Sequence, residues 1–401
     1  MKSKILLLIL WIFYLGLLSK VNANWFQVSN YGGGNVELTY FFSANNKGYV
    51  GGGRNNGVYF NDLWEYNDIA NIWTQKANLP GQPRASAICF AIYNKGYVGF
   101  GSTGAGYLND FWEYDPILNS WSQKTNFPGA ARYSSIGFSI GNLGYAGTGY
   151  NGSYLSDFWQ YDPVNDSWQS KANFTGNARQ HVVGFSIDTL GYIGFGYKNG
   201  TSYNDLWQYS PLSDSWVQKT SCPTMGCRGL VSFSFNHFGY VTSGFDDVNY
   251  TNNFWEYNPT TDQWNQLTSY SGASRYSAFG FELNGCFYVG TGSNGGVVSP
   301  NELNDVWKYC VNTGLNDFNH DIYTITYHPT TNTIQINLQQ TINSQFQFEL
   351  FTLQAKKVFS KQISFNLKQV TISLPKLSSG IYLYSITGNN KIKSGKLLIK
   401  N

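Results

Sequence analysis

The sequence predicts an all-β chain, a six-bladed propeller followed by a small antiparallel sandwich. Three observations carry this. An aromatic motif recurs six times at nearly constant spacing. Aromatic residues reach 18% and Gly counts 43, while only 12% of residues are charged, a balance that suits short strands and tight turns rather than helices. From about Asn316 onward the aromatic-Gly rhythm gives way to plain apolar–polar alternation.

The repeated element is "DLWEYN" at Trp64, "DFWEYD" at Trp112, "DFWQYD" at Trp159, "DLWQYS" at Trp207, "NFWEYN" at Trp255 and "DVWKYC" at Trp307. A second Trp follows nine residues later in the first five copies, at Trp73, Trp121, Trp168, Trp216 and Trp264. Ahead of each motif stands an apolar-Gly run such as "GYVGFG". Self-similarity at this period marks a repeat architecture. The second copy reads as four strands, "SAICFAIY", "GYVGFG", "DFWEYD" and "SWSQKT", separated by turn residues. Four antiparallel strands per unit make one propeller blade. Trp112 and Tyr114 leave the same face of their strand, and only packing against a neighbouring blade can bury rings of that size.

Glycines, then Asp-x-Trp-x-Tyr, then a spaced Trp resemble the kelch-repeat family, over roughly Asn24 to Cys310. The glycine pair is split in places, as in Gly99-Phe100-Gly101, and the fifth unit has Val241-Thr242-Ser243-Gly244. The sixth unit lacks its second Trp, but the segment "NWFQVSN" matches "NIWTQKA" in type. Trp25 is therefore expected to supply the outer strand of the sixth blade, closing the ring and leaving few free edges.

The N-terminus has Lys2 and Lys4, then an almost unbroken apolar run from Ile5 to Ser19, then Val21-Asn22-Ala23. It reads as a secretory signal peptide over residues 1–23. The run is shorter than the about 20 residues a spanning helix needs, and the mature chain is expected to hold no membrane span. Residues 24–312 are assigned to the propeller, 313–320 to a linker and 321–401 to an Ig-like sandwich. Within the last segment, Leu377-Ser378-Ser379-Gly380-Ile381-Tyr382 and the closing Gly395-Lys396-Leu397-Leu398-Ile399-Lys400 resemble the C-terminal sorting domain of the type IX secretion system of Bacteroidetes. The resemblance implies the secretion machinery as a partner and a secreted or outer-membrane surface location. An ordinary adhesive sandwich is the alternative.

An exported chain invites cysteine pairing. Cys222 and Cys227 bracket one short loop, and Cys286 and Cys310 should lie side by side on antiparallel strands, whereas Cys89 reads as a free, buried thiol. Asn24 to Cys310 holds 14 basic against 20 acidic residues, so no nucleic-acid footprint is present. The four histidines, His181, His237, His320 and His328, are too few and scattered for a metal site, and neither metal nor cofactor is expected. No nucleophile elbow or phosphate loop occurs.

One recurring polar feature remains. Arg84, Arg132, Arg179, Arg228 and Arg275 each precede the first strand of a blade. The loops between strands two and three should emerge on the same end and carry Tyr59, Tyr107, Tyr154, Tyr203 and Tyr250. A rosette of Arg and Tyr around a channel suits a glycan or carboxylate-bearing ligand, or a protein partner. Arg is also common at this place in kelch repeats, where it would bond loop carbonyls. The repeated Asp62, Asp110, Asp157, Asp205 and Asp305 are expected to bond backbone amides at the strand start. The main expectation is a binding module. The alternatives are a sugar mutarotase or epimerase, with Asp246 and Asp247 as candidate bases, and a structural surface component.

Overall fold

The computed structural model describes residues 25–295, 301–311, 323–338, 344–352, 356–365, 369–388 and 391–399. The segments read above as signal peptide and linker, and His320, lie outside the described residues. Every described regular element is a strand. The residues up to Val311 form one compact unit, and those from Tyr323 onward another.

The first unit holds six four-stranded antiparallel sheets. We number them 1 (residues 40–75), 2 (88–124), 3 (136–171), 4 (183–219), 5 (231–267) and 6 (279–310 with 26–28). Sheet 2 is typical: Ile88–Ile92, Lys95–Gly99, Phe111–Asp115 and Ser120–Lys124 pair in sequence order. Sheet 6 takes its outer strand from the other end of the chain. Phe26–Val28 pairs antiparallel with Val306–Cys310, Gln27 lying opposite Trp307. Trp25 stands at the head of that strand, buried against Phe254, Tyr270 and Tyr309.

Three circuits of contacts join the sheets, and each explains a repeated residue. In the first, the outer Trp of each sheet donates its indole N–H to a carbonyl of the preceding sheet. Trp73 bonds Ser29, Trp121 bonds Ala77, Trp168 bonds Thr125, Trp216 bonds Ala172, Trp264 bonds Thr220, and Trp25 closes the circuit on Thr268, all at 2.8–3.2 Å. In the second, a Phe on an inner strand fills the space over the next sheet's Gly-Tyr pair. A Cβ on Gly96 would lie 2.2 Å from the Phe42 ring, and one on Gly144 2.4 Å from Phe90. Glycine is required there because a ring occupies the place of a side chain.

The third circuit surrounds the axis. Leu38, Ser86, Ser134, His181, Gly229 and Ser277 take the left-handed conformation, with φ between 49° and 62°. Each N–H donates to the carbonyl of its counterpart in the preceding sheet: Ser86 to Leu38, Ser134 to Ser86, His181 to Ser134, Gly229 to His181, Ser277 to Gly229, and Leu38 back to Ser277, at 2.8–3.3 Å. A left-handed turn costs a non-glycine residue about 1 kcal/mol, and a hydrogen bond of roughly 1 kcal/mol offsets it at each step. The inner strands pack side by side in the same cyclic order.

The second unit has a three-stranded sheet (Tyr323–His328, Thr333–Leu338, Gln369–Ser373) and a four-stranded one (Ser344–Phe351, Lys357–Phe365, Gly380–Gly388, Lys391–Ile399). Ile334, Ile336 and Ile372 from one sheet share a core with Phe348, Leu350, Ile386 and Ile399 from the other. The alternating pattern has put the apolar side of each sheet inward.

Cys286 and Cys310, opposite each other in sheet 6, are joined by a disulfide. Cys222 and Cys227 are two separate, buried thiols, and Cys89 is free. Burial pushes the Cys89 thiol up to about 12, so it stays protonated and unreactive.

Candidate functional site

The segment leading into each inner strand meets the hairpin between strands two and three of the same sheet. Ala85 bridges Ser102, Tyr133 bridges Tyr150, Gln180 bridges Tyr197, Arg228 bridges Phe245, Tyr276 bridges Ser293 and Glu37 bridges Arg54. Lead-in segments and hairpins thus build one face of the ring.

The recurring arginines do not open onto that face. Arg84, Arg132, Arg179 and Arg275 are at most 1% exposed. Arg84 donates from both terminal nitrogens to Asp110, at 2.6 Å each, and from one of them to the Phe100 carbonyl. Arg132 holds Asp157, Arg179 holds Asp205 and Arg275 holds Asp305 in the same way. The Asp in turn accepts the indole N–H of the Trp two residues on, as Asp110 does from Trp112 at 2.7 Å. The guanidinium also lies over an aromatic ring five residues earlier, Arg132 over Phe127, Arg179 over Phe174 and Arg275 over Tyr270, at 4.9–5.2 Å. These four arginines are buried clamps between strands one and three. The repeated Asp side chains bond Trp and, except for Asp62, Arg, and Asp62, Asp110 and Asp305 accept backbone N–H groups as well.

Arg228 differs because it is not the fifth member of that series. Gly101, Gly149, Gly196 and Gly244 donate their N–H groups to the carbonyls of Arg132, Arg179, Cys227 and Arg275. Cys227 therefore occupies the clamp position in sheet 5, and Arg228 stands one residue further, where alternation turns the side chain outward. Its side chain is 23% exposed, lies over Tyr197 and Phe245, and pairs with Asp247 at 2.8 Å. Its counterparts are Glu37, Ala85, Tyr133, Gln180 and Tyr276. Reading each motif one residue past the clamp would have found these positions in the sequence.

A cavity of ≈ 200 Å³ opens among Arg54, Tyr59, Ala85, Ser102, Tyr133, Tyr276 and the axial His181. The residues of the face around it differ from sheet to sheet. Towards sheets 2 and 3 stand tyrosines in series: Tyr107 lies 5.0 Å from Tyr133, Tyr133 5.9 Å from Tyr150, and Tyr150 5.0 Å from Tyr154. Towards sheets 5, 6 and 1 the mouth is charged. Arg54 pairs with the buried Glu37 at 2.9 Å, Arg228 with Asp247, and Glu302 accepts the Asn56 N–H. Desolvation outweighs Arg54 and raises the Glu37 carboxyl above its ordinary range, with Glu302 adding to the shift. Burial, then Arg228 and Arg54, lower the His181 imidazole to about 4. It is neutral at physiological pH, and its Nε2 lies 3.3 Å from Ser134 Oγ.

The tyrosines singled out in the sequence divide. Tyr107 is 40% exposed and belongs to the tyrosine series. The Tyr154 hydroxyl accepts the Asn199 N–H. Tyr203 lies flat against the Arg179 guanidinium at 4.0 Å and belongs to the clamp. Tyr250 stacks near Phe245 and Tyr276 and donates to the Gly295 carbonyl. Asp246 accepts the N–H groups of Val248 and Asn249 and so shapes its own turn, while Asp247 is held by Arg228 and Ser202. Neither is placed as a free base. Among the described residues no three of His, Cys, Asp and Glu converge to hold a metal ion, and no helix is long and apolar enough to cross a membrane.

Comparison with known families fits this geometry. Residues 22–191 match the family model described as the KLHDC2/KLHL20/DRC7 Kelch-repeats domain. Residues 328–400 match the secretion system C-terminal sorting domain. The chain carries kelch repeats and a sorting tail. The kelch ring is also similar to the solved structure of YjhT, with a TM-score of 0.60 at 14% identity, over 71% of this chain and 97% of that one, a likeness of fold. No curated protein matches. The sorting domain indicates export through type IX secretion to the cell surface or beyond.

Proposed function

We propose that the kelch ring is a six-bladed binding module, displayed outside the cell, that takes a glycan in the mouth formed by its lead-in segments and hairpins. In this reading residues 1–23 are a signal peptide, and the last residues from 321 are an Ig-like sandwich addressed by the secretion machinery. The observation that carries the proposal is a cavity lined by Tyr59, Tyr133, Tyr276 and the partly exposed Arg54, on a face that also carries Tyr107, Tyr150 and the partly exposed Arg228. Tyr rings give flat apolar faces with polar tips, suited to the faces and hydroxyls of a sugar ring. Arg54 and Arg228 give planar forks suited to a carboxylate or a polarised hydroxyl.

The test is a glycan array probed with the full exported chain, beside a pull-down from the organism's growth medium. Saturable binding to a defined glycan supports the proposal. A blank array with one captured protein would move the assignment to protein recognition.

A further inference from the structure

Sheet 5 lacks the clamp of its neighbours, and the residues that replace it are two cysteines. In sheets 2, 3, 4 and 6 an apolar residue and the clamp arginine stand five apart: Leu79 and Arg84, Phe127 and Arg132, Phe174 and Arg179, Tyr270 and Arg275. In sheet 5 the same two places hold Cys222 and Cys227. The alignment is set by backbone bonds. Phe127 and Arg132 donate their N–H groups to consecutive carbonyls, Asn109 and Leu108, while Cys222 and Cys227 donate to Asn204 and Tyr203, at 2.9 Å each. The five-residue step is thus pinned at both ends on adjacent residues. The third member of the clamp has changed as well. Asn253 stands where the others have Asp, and the buried indole N–H of Trp255 has no partner.

We propose that Cys222 and Cys227 are oxidised to a disulfide during export, so that sheet 5 carries a covalent clamp where its neighbours carry an ionic one. In sheets 3, 4 and 6 the residue pair faces itself across the step, guanidinium over ring. Both sulfurs of sheet 5 lie in one core cluster, and the nearby Cys227 sulfur contributes to holding Cys222 protonated. Losing Asp at 253 is consistent, since a carboxylate beside two cysteines would be buried without a cation.

The chemistry is a thiol–disulfide exchange. One cysteine thiolate attacks the disulfide of an extracytoplasmic thiol oxidoreductase and releases one of its thiols. The second cysteine then attacks the mixed disulfide, forming the Cys222–Cys227 bond and releasing the reduced dithiol enzyme. Burial pushes the Cys227 thiol up to about 12 in the folded sheet. The exchange therefore belongs to the time before sheet 5 closes, while the thiols are accessible.

The experiment is a peptide map of the full exported chain, denatured and alkylated without reduction, then cut with trypsin. Cleavage after Lys219 and Arg228 isolates both cysteines on one peptide. The proposal predicts that this peptide carries no alkyl group, is lighter than its dithiol form by two hydrogens, and takes two alkyl groups only after reduction. Alkylation of both cysteines without prior reduction would overturn it. A second measurement replaces the thiols by the neighbours' clamp, in Cys222→Phe with Cys227→Arg and Asn253→Asp. Reductant should lower the melting temperature of the natural chain more than that of this variant, because only the Cys286–Cys310 bond remains to be lost there. Equal losses would contradict the covalent clamp.

Discussion

At the scale of single residues, the repeated Arg–Asp–Trp clamp accounts for most of the buried charge. Burial alone would raise the Asp110 carboxyl, but the paired Arg84 guanidinium outweighs it and holds the group below its ordinary range; Asp305 behaves alike beside Arg275. Sheet 1 offers a natural control. Val36 stands in the arginine's place, so Asp62 keeps its bond to Trp64 but leaves one buried oxygen without a partner. Desolvation accordingly raises its pKa. Two isosteric substitutions should therefore act in opposite directions. Asp110→Asn leaves Arg84 buried without its counter-ion and should cost about 3 kcal/mol at neutral pH, the low end for a broken buried pair because the carboxylate edge touches solvent. Asp62→Asn should leave stability unchanged or raise it at neutral pH. A raised carboxyl penalises the fold only while ionised, so that gain should vanish as pH falls below the ordinary Asp range. For Asp110 the sign is reversed: its contribution is present at neutral pH and fades as pH falls below that range towards its lowered folded value. Thermal denaturation of both variants at neutral and acid pH checks the pair of signs.

At the scale of elements, the glycine and the two tryptophans of each repeat are one device for joining sheets. The inner-strand Phe of one sheet sits over the Gly-Tyr pair of the next, and the outer Trp donates back to the preceding sheet. Gly96→Ala should destabilise the ring by several kcal/mol through overpacking, because the added carbon would meet the Phe42 ring at 2.2 Å. Trp121→Phe keeps most of the apolar contact and loses one hydrogen bond, which predicts a smaller cost of about 1 kcal/mol. Denaturant unfolding of the two variants should rank them in that order; the reverse order would mean that the indole bond, not the space over glycine, joins the sheets. Sheet 6 departs from the rule, with Phe287 in place of the glycine and stacked on Phe233 at 4.7 Å. The aromatic spacing made strands, sheets and the role of the Phe26–Val28 strand legible in the sequence, because large rings at period two demand a facing sheet. The site was less legible. A clamp arginine and a mouth arginine differ by a single residue of register, as Cys227 and Arg228 show, and alternation turns that one step into the difference between core and solvent. Arg54 carried no repeat signal, since its counterparts in the other hairpins are Ser102, Tyr150, Tyr197, Phe245 and Ser293.

At the scale of the whole molecule, closure of the ring by its first and last strands and display outside the cell leave one face of the ring free to vary. The indole and axial bonds repeat in all six sheets and the arginine clamp in four of them. The lead-in and hairpin residues do not: Tyr107, Tyr133, Tyr150 and Tyr154 stand in series at sheets 2 and 3, and the Glu37–Arg54 and Arg228–Asp247 pairs at sheets 1 and 5. Repetition in the frame and divergence in the mouth are what a binding module on a fixed scaffold requires. The account's central claim is that Arg54 and Arg228 serve a ligand while Arg84, Arg132, Arg179 and Arg275 serve the fold. The most direct measurement is a paired titration and melt of Arg228→Ala and Arg179→Ala, using the glycan that the array selects. The account predicts that Arg228→Ala loses most of the affinity with little change in melting temperature, and that Arg179→Ala lowers the melting temperature sharply. Unchanged affinity in Arg228→Ala, or a fully stable Arg179→Ala that no longer binds, would contradict it.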